Sequence, residues 1–100
     1  MHTQFSVQDE LCLAIRDIKP QAPTHVLLIP RKVISTHADI TAADSELIGY
    51  LHVVAVKLAQ QLKLEDRYRI VINYKDGGRQ VVPHLHFHLL CGRSFAWPPG

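Results

Sequence analysis

The residues best equipped for chemistry lie together in His84-Leu85-His86-Phe87-His88-Leu89-Leu90, where three imidazoles alternate with apolar side chains. Successive side chains of an extended strand point to opposite faces. Leu85, Phe87 and Leu89 would therefore share one face and the histidines the other, at alternate positions roughly 6.5–7 Å apart. Burial accounts for the apolar face. Folding does not ask for imidazoles on the other, where Thr, Lys or Glu would serve equally well. Three readings of these residues stand open. One is a polar sheet face. A second is a metal module built on His84, His86 and His88, in which a catalytic zinc would need a ligand converging from elsewhere. The third is acid–base or nucleophilic work near neutral pH, which suits a side chain whose pKa lies near about 6.5. A neutral ring nitrogen can attack phosphorus or an acyl carbon and form a covalent intermediate that water later opens.

Such a strand needs a scaffold. Leu11-Cys12-Leu13-Ala14-Ile15 is an apolar run of strand length, flanked by Asp9-Glu10 and Arg16-Asp17. Lys19-Pro20-Gln21-Ala22-Pro23 follows, and its prolines make it a turn. Val26-Leu27-Leu28-Ile29 reads as a second strand, stopped by Pro30 and paired with the first as an antiparallel hairpin. From Ile40 to Leu64 the period changes. Leu47, Ile48, Leu51, Val54, Ala55, Leu58 and Leu62 recur at helical spacing, with Thr41 as the expected N-cap. Asp44 and Glu46 sit in the first turn and Lys57 and Lys63 toward the other end, as the helix dipole favours. Tyr68 to Tyr74 is β-branched and aromatic, hence a strand. Lys75-Asp76-Gly77-Gly78-Arg79 breaks it, and Val81-Val82 and Leu85 to Leu90 supply further strand. The order β-β-α-β-β predicts an α+β domain, an antiparallel sheet with one main helix packed on it.

Composition narrows the partners. A chain of 100 residues is a single domain, 1–100, and its 47% apolar and 20% charged content is that of a globular protein. Eleven Lys and Arg against nine Asp and Glu give a net charge of +2, too small and too evenly spread for a nucleic-acid footprint. No stretch approaches the roughly 18 apolar residues of a membrane span. Met1-His2-Thr3-Gln4 lacks the segments of a secretory signal. A cytoplasmic protein is expected, with Cys12 and Cys91 as buried thiols. Val53, Val54, Val56 and Leu58 cover more of the helix circumference than one sheet contact needs, which predicts an isologous homodimer.

Three alternating histidines followed by two leucines resemble the signature of the histidine triad, or HIT, superfamily. The resemblance extends to Asp17-Ile18-Lys19-Pro20-Gln21-Ala22-Pro23-Thr24-His25, Ile29-Pro30-Arg31-Lys32, Arg69-Ile70-Val71-Ile72-Asn73 and Gln80-Val81-Val82-Pro83-His84. Gly92-Arg93 and Trp97-Pro98-Pro99-Gly100 resemble the ending of its nucleotide-binding branch. The likeness runs over nearly the whole chain from about Asp9.

The resemblance implies a HIT-like fold and a dimeric phosphoramidase. It would hydrolyse the P–N bond of purine nucleoside 5′-phosphoramidates, such as adenosine 5′-monophosphoramidate, with no cofactor or metal. His86 would be the nucleophile and His88 would polarise a phosphate oxygen, while His84 and His25 orient the set and shuttle protons. Asp17 would bond the ribose hydroxyls and Ile18 line the nucleoside pocket. Asn73 would contact phosphate and nucleoside, Gly78, Arg79 and Gln80 would face the phosphate, and Trp97 would reach toward the partner's site. Three features depart from the family pattern, one of them Arg79, which stands where the pattern often has a glycine and adds a positive charge beside the phosphate. Val81 stands where many relatives carry a hydroxyl, and the family's N-terminal helix has no counterpart. The other function class is a nucleotide-binding or scaffold protein with weak or lost catalysis.

Overall fold

The computed structural model describes residues 4–63, 67–74 and 84–100. Among the described residues, five strands and one long helix carry the architecture: β1 (Gln4–Gln8), β2 (Cys12–Arg16), β3 (Thr24–Pro30), α1 (Ser45–Gln61), β4 (Tyr68–Val71) and β5 (Phe87–Cys91). The sheet runs β1-β2-β3-β5-β4 with every neighbour antiparallel. The expected α+β class is the one observed. Sequence patterning missed β1, although Gln4-Phe5-Ser6-Val7-Gln8 alternates polar and apolar residues, and placed the hairpin partners within a residue or two of their ends.

The β3–β5 pairing puts the last strand inside the sheet, between β3 and β4. Its apolar positions Phe87 and Leu89 are then buried, together with Leu85 just before them. They meet Val26 and Leu28 from β3, Cys12 and Ala14 from β2, and Leu51, Val54, Ala55 and Leu58 from α1. These side chains form the layer between sheet and helix. Val54 and Leu58, expected to help form a dimer surface, belong to this core, whereas Val53 and Val56 stay about half exposed. Both cysteines are buried and unpaired. Burial is the leading cause that pushes the Cys12 thiol up to about 11, keeping it protonated.

Local hydrogen bonding decides the edges of the elements. Thr41 caps a short 3-10 turn over Ala42–Asp44 instead of α1 itself. The Asp44 carboxylate accepts from the Thr41 N–H at 3.0 Å and from Lys32 Nζ, which tightens the chain before Ser45. At the opposite turn, Asp9 Oδ1 accepts from the N–H groups of Leu11 and Cys12, both at 2.9 Å. Its Oδ2 accepts from the Tyr50 hydroxyl of α1, so the helix is tied to the β1–β2 turn. That hydroxyl and the two amides hold the Asp9 carboxyl at about 2.

The strand carrying the histidines starts later than its alternation predicts. Only His88 lies within β5; His84 and His86 are in the segment leading to it. In the β3–β5 register, Leu28 pairs with Phe87, so Pro30 would stand opposite Leu85. Proline has no N–H to give a ladder. The Leu85 N–H instead donates to the Ile34 carbonyl at 2.7 Å, drawing the segment out of the sheet.

Candidate functional site

The face of the sheet away from α1 builds the site. Pairing aligns Ile15 with Leu27, Leu27 with His88 and His88 with Val71, so residues from four strands form one row across it. His25 pairs with Leu90 and therefore lies diagonal to His88, within reach of its ring. A cavity of about 620 Å³ opens over this row, lined among others by Ile15, Asp17, Ile18, His25, Asn73, His86 and His88.

The β2–β3 turn positions the acid. Asp17 Oδ1 accepts from the Lys19 N–H at 2.8 Å, and the Asp17 N–H donates to the His25 carbonyl at 3.0 Å. This local turn holds the carboxylate over the imidazoles, with Oδ2 3.4 Å from His25 Nε2.

One backbone amide fixes the protonation pattern. The Gln21 N–H donates to His25 Nδ1 at 3.0 Å. An amide can only donate, so Nδ1 of His25 is bare and its proton sits on Nε2. His25 Nε2–H then donates to His88 Nδ1 at 2.8 Å. His88 in turn carries its proton on Nε2; Asn73 Nδ2, itself a donor, stands 3.5 Å from that atom, so the Asn73 amide has to turn its Oδ1 toward Nε2–H to accept. Burial, followed by the repulsion of His86 and then His25, pushes His88 down to about 4. Burial also lowers His25, against the opposing pull of Asp17. Both rings are neutral at pH 7, and each has a defined tautomer.

His86 is arranged differently. Its Nδ1–H donates to the His84 carbonyl at 2.7 Å, leaving Nε2 as the bare nitrogen. Its ring meets His88 edge-on, with centroids 4.8 Å apart and planes at 65°. A nucleophilic nitrogen thus stands beside an N–H donor, a carboxylate and an apolar wall.

The structure brings together Asp17, Ile18, His25, Asn73, His86 and His88. Ile18 sits at the mouth, 92% exposed. His84 is exposed, and what it offers His86 is its carbonyl, where an imidazole contact was expected. Trp97 lies on the exposed tail after β5, away from the cavity lining of its own chain. Gly78, Arg79, Gln80 and Val81 lie outside the described residues. Sequence reasoning missed the role of Gln21, which acts through its backbone and so has no side-chain signature. Ile15 and Leu27 were read as strand residues without a face, because their placement on the site depends on register.

A metal fits this donor set poorly. Among the described residues, the donor atoms of Asp17, His25 and His88 converge within 4.8 Å. A ligating imidazole gives its other N–H to an acceptor. If His25 bound through Nε2, its proton would have to sit on Nδ1, which faces the Gln21 N–H donor.

The HIT domain family model matches residues 1–95 of the chain. A 14 kDa zinc-binding protein of Zea mays is 51% identical over 96 residues, spanning 93% of this chain and 74% of that one. Among solved structures, a HIT family hydrolase from Legionella pneumophila Philadelphia 1 superposes with a TM-score of 0.94 at 48% identity, covering 100% of this chain and 89% of its own. A histidine triad nucleotide-binding protein from Candida albicans gives a TM-score of 0.79 at 26% identity, over 100% and 76% of the two chains.

Proposed function

The chain belongs to the HIT family, and from this premise and the geometry of its histidines we propose that it is a purine nucleotide-binding hydrolase of nucleoside 5′-phosphoramidates. The observation that carries the reading is the pinning of His86 Nδ1–H by the His84 carbonyl, which leaves Nε2 bare at the cavity. Neutral imidazole held by an acceptor on its far nitrogen is a nucleophile aligned before the substrate arrives.

In the first step His86 Nε2 attacks phosphorus and the P–N bond breaks. The amine leaves with a proton delivered from the imidazole shell, and a nucleotidyl-histidine remains. His88 Nε2–H donates to a phosphoryl oxygen, where negative charge grows in the transition state. Water then opens the N–P bond. Its oxygen goes to phosphorus and a proton from it replaces the one the imidazole shell gave the amine, which releases the nucleoside monophosphate and restores His86. Asp17 and Ile18 receive the ribose and base, and Asn73 steadies His88 or the phosphate. The same reading assigns a phosphate contact to the segment containing Gly78, Arg79, Gln80 and Val81, and to Trp97 a role at a partner's site in a homodimer.

The test is hydrolysis of a fluorogenic adenosine phosphoramidate by the full chain, with and without chelator. Turnover that survives chelation, falls by several orders of magnitude in His86→Asn and leaves nucleotide binding intact is the expected result. Nucleotide binding with no turnover would assign the chain to the scaffold class, and chelator-sensitive turnover that persists in His86→Asn would overturn the mechanism.

A further inference from the structure

Arg93 has no part in the site as described, yet it touches the residue on which the imidazole pattern depends. Directly after β5, its Nε donates to the Gln21 carbonyl at 2.8 Å. The same guanidinium donates through Nη1 to the Ser94 carbonyl at 3.0 Å and lies 4.7 Å from the centroid of the Phe95 ring. Arg69 of β4 approaches that ring at 5.0 Å and donates to the Ala96 carbonyl at 3.1 Å. Two guanidinium groups and one aromatic ring therefore fasten the segment after β5 to the end of the sheet.

The approach to the β2–β3 turn is close. Gly92 adopts φ +100°, and a Cβ placed on it would stand 2.9 Å from Pro23 Cβ. Glycine at this position lets the chain pass over the turn and deliver Arg93 to Gln21.

We propose that Arg93 is a positioning residue for the imidazole pair. By holding the Gln21 carbonyl it keeps the Gln21 N–H on His25 Nδ1, and so determines which nitrogen of His25 and of His88 carries the proton. The chain of contacts is continuous: Arg93 Nε to Gln21 O, Gln21 N to His25 Nδ1, and His25 Nε2 to His88 Nδ1. A charge-assisted hydrogen bond is a stronger anchor for a turn than a neutral one. If Gln21 moves away, His25 can place its proton on Nδ1. Its Nε2 then accepts from His88 Nδ1–H, and His88 presents a bare Nε2 to the cavity. An anionic phosphoryl group would meet a lone pair in place of an N–H. The Asp17 carboxylate, 3.4 Å from His25 Nε2, still favours the proton there, so loss of Arg93 yields a mixture of tautomers.

The consequence for phosphoryl transfer rests on the proposed function; the tautomers themselves do not. Long-range nitrogen–proton correlation spectra of the histidine-labelled full chain, recorded at mildly alkaline pH, read them directly. In the unmodified protein, Nδ1 of His25 and of His88 resonates as a bare nitrogen and Nε2 of each as a protonated one. In Arg93→Ala all four signals move toward the averaged position between those types; Arg93→Gln gives the same reading should the alanine variant not fold. Arg69→Ala, which weakens the hold on Phe95 but leaves the Gln21 contact, keeps the original pattern. Unchanged tautomers in the Arg93 variants overturn the inference, whatever the turnover. So does an equal shift in Arg69→Ala, which would reduce the effect to general loosening of the segment. Tautomers that shift as expected in a protein without phosphoramidate turnover would overturn the proposed function alone.

Discussion

His86 and His25 each take their character from one neighbour. The His84 carbonyl selects the bare nitrogen of His86, and the Gln21 amide selects that of His25. Burial does the rest, holding His88 at about 4 and lowering His25. The effect on stability has a definite sign. An unfolded histidine titrates near about 6.5, so on acidification the unfolded chain takes up protons that the folded site refuses. Stability is therefore expected to be full above that pH and to fall as the pH drops toward 4, the value given for His88. Thermal unfolding followed across this window should show a falling Tm, with a flatter fall in His88→Gln. A Tm independent of pH there would mean that these rings charge freely in the folded state.

Among the elements, the helix ends show where local chemistry prevails over periodicity. The apolar period runs on to Leu62, but α1 stops at Gln61 because Lys63 takes φ 59°, with its N–H donating to the Gln60 carbonyl at 3.1 Å. A left-handed residue with a Cβ costs about 1–2 kcal/mol, and glycine is the usual occupant of this position. Lys63→Gly should stabilise the protein by about 1 kcal/mol in chemical denaturation, with activity unchanged. Destabilisation would show that the lysine side chain contributes more than its backbone strain. At the other end, the Thr41–Asp44 turn and Lys32 keep the loop after β3 in place. That loop supplies the Ile34 carbonyl that draws Leu85, and with it the backbone between His84 and His86, away from the sheet.

At the scale of the whole molecule, the helix still carries apolar surface that its own sheet does not cover. Val53 and Val56 are 49% and 47% exposed, on the side of α1 away from the core. A second copy of the chain related by a two-fold axis would bury both symmetrically. Sedimentation at micromolar concentration is expected to give a dimer, and Val53→Lys with Val56→Glu to give a monomer. Stable interfaces of this kind bury upward of about 1,000 Å² in total, so a monomeric unmodified protein would show that this patch is too small to associate.

The sequence by itself determined the α+β class, the helix and its buried face, and the histidine-bearing segment with its apolar underside. These follow from periodicity, which a chain carries locally. It also pointed to Asp17, His25 and Asn73, though only through resemblance, since single polar residues in turns and strand ends carry no period. Tertiary structure decided the rest. The histidine face is a cavity wall because β5 pairs between β3 and β4, bringing Leu27, Ile15 and Val71 alongside His88. His84 acts through its carbonyl because Leu85 is drawn to Ile34, a contact spanning 51 positions that no local pattern encodes. The proton positions on His25 and His88 depend on a backbone amide. Every residue but proline has such a group, so a sequence cannot mark the one that matters; only folding places Gln21 against His25 and Arg93 against Gln21.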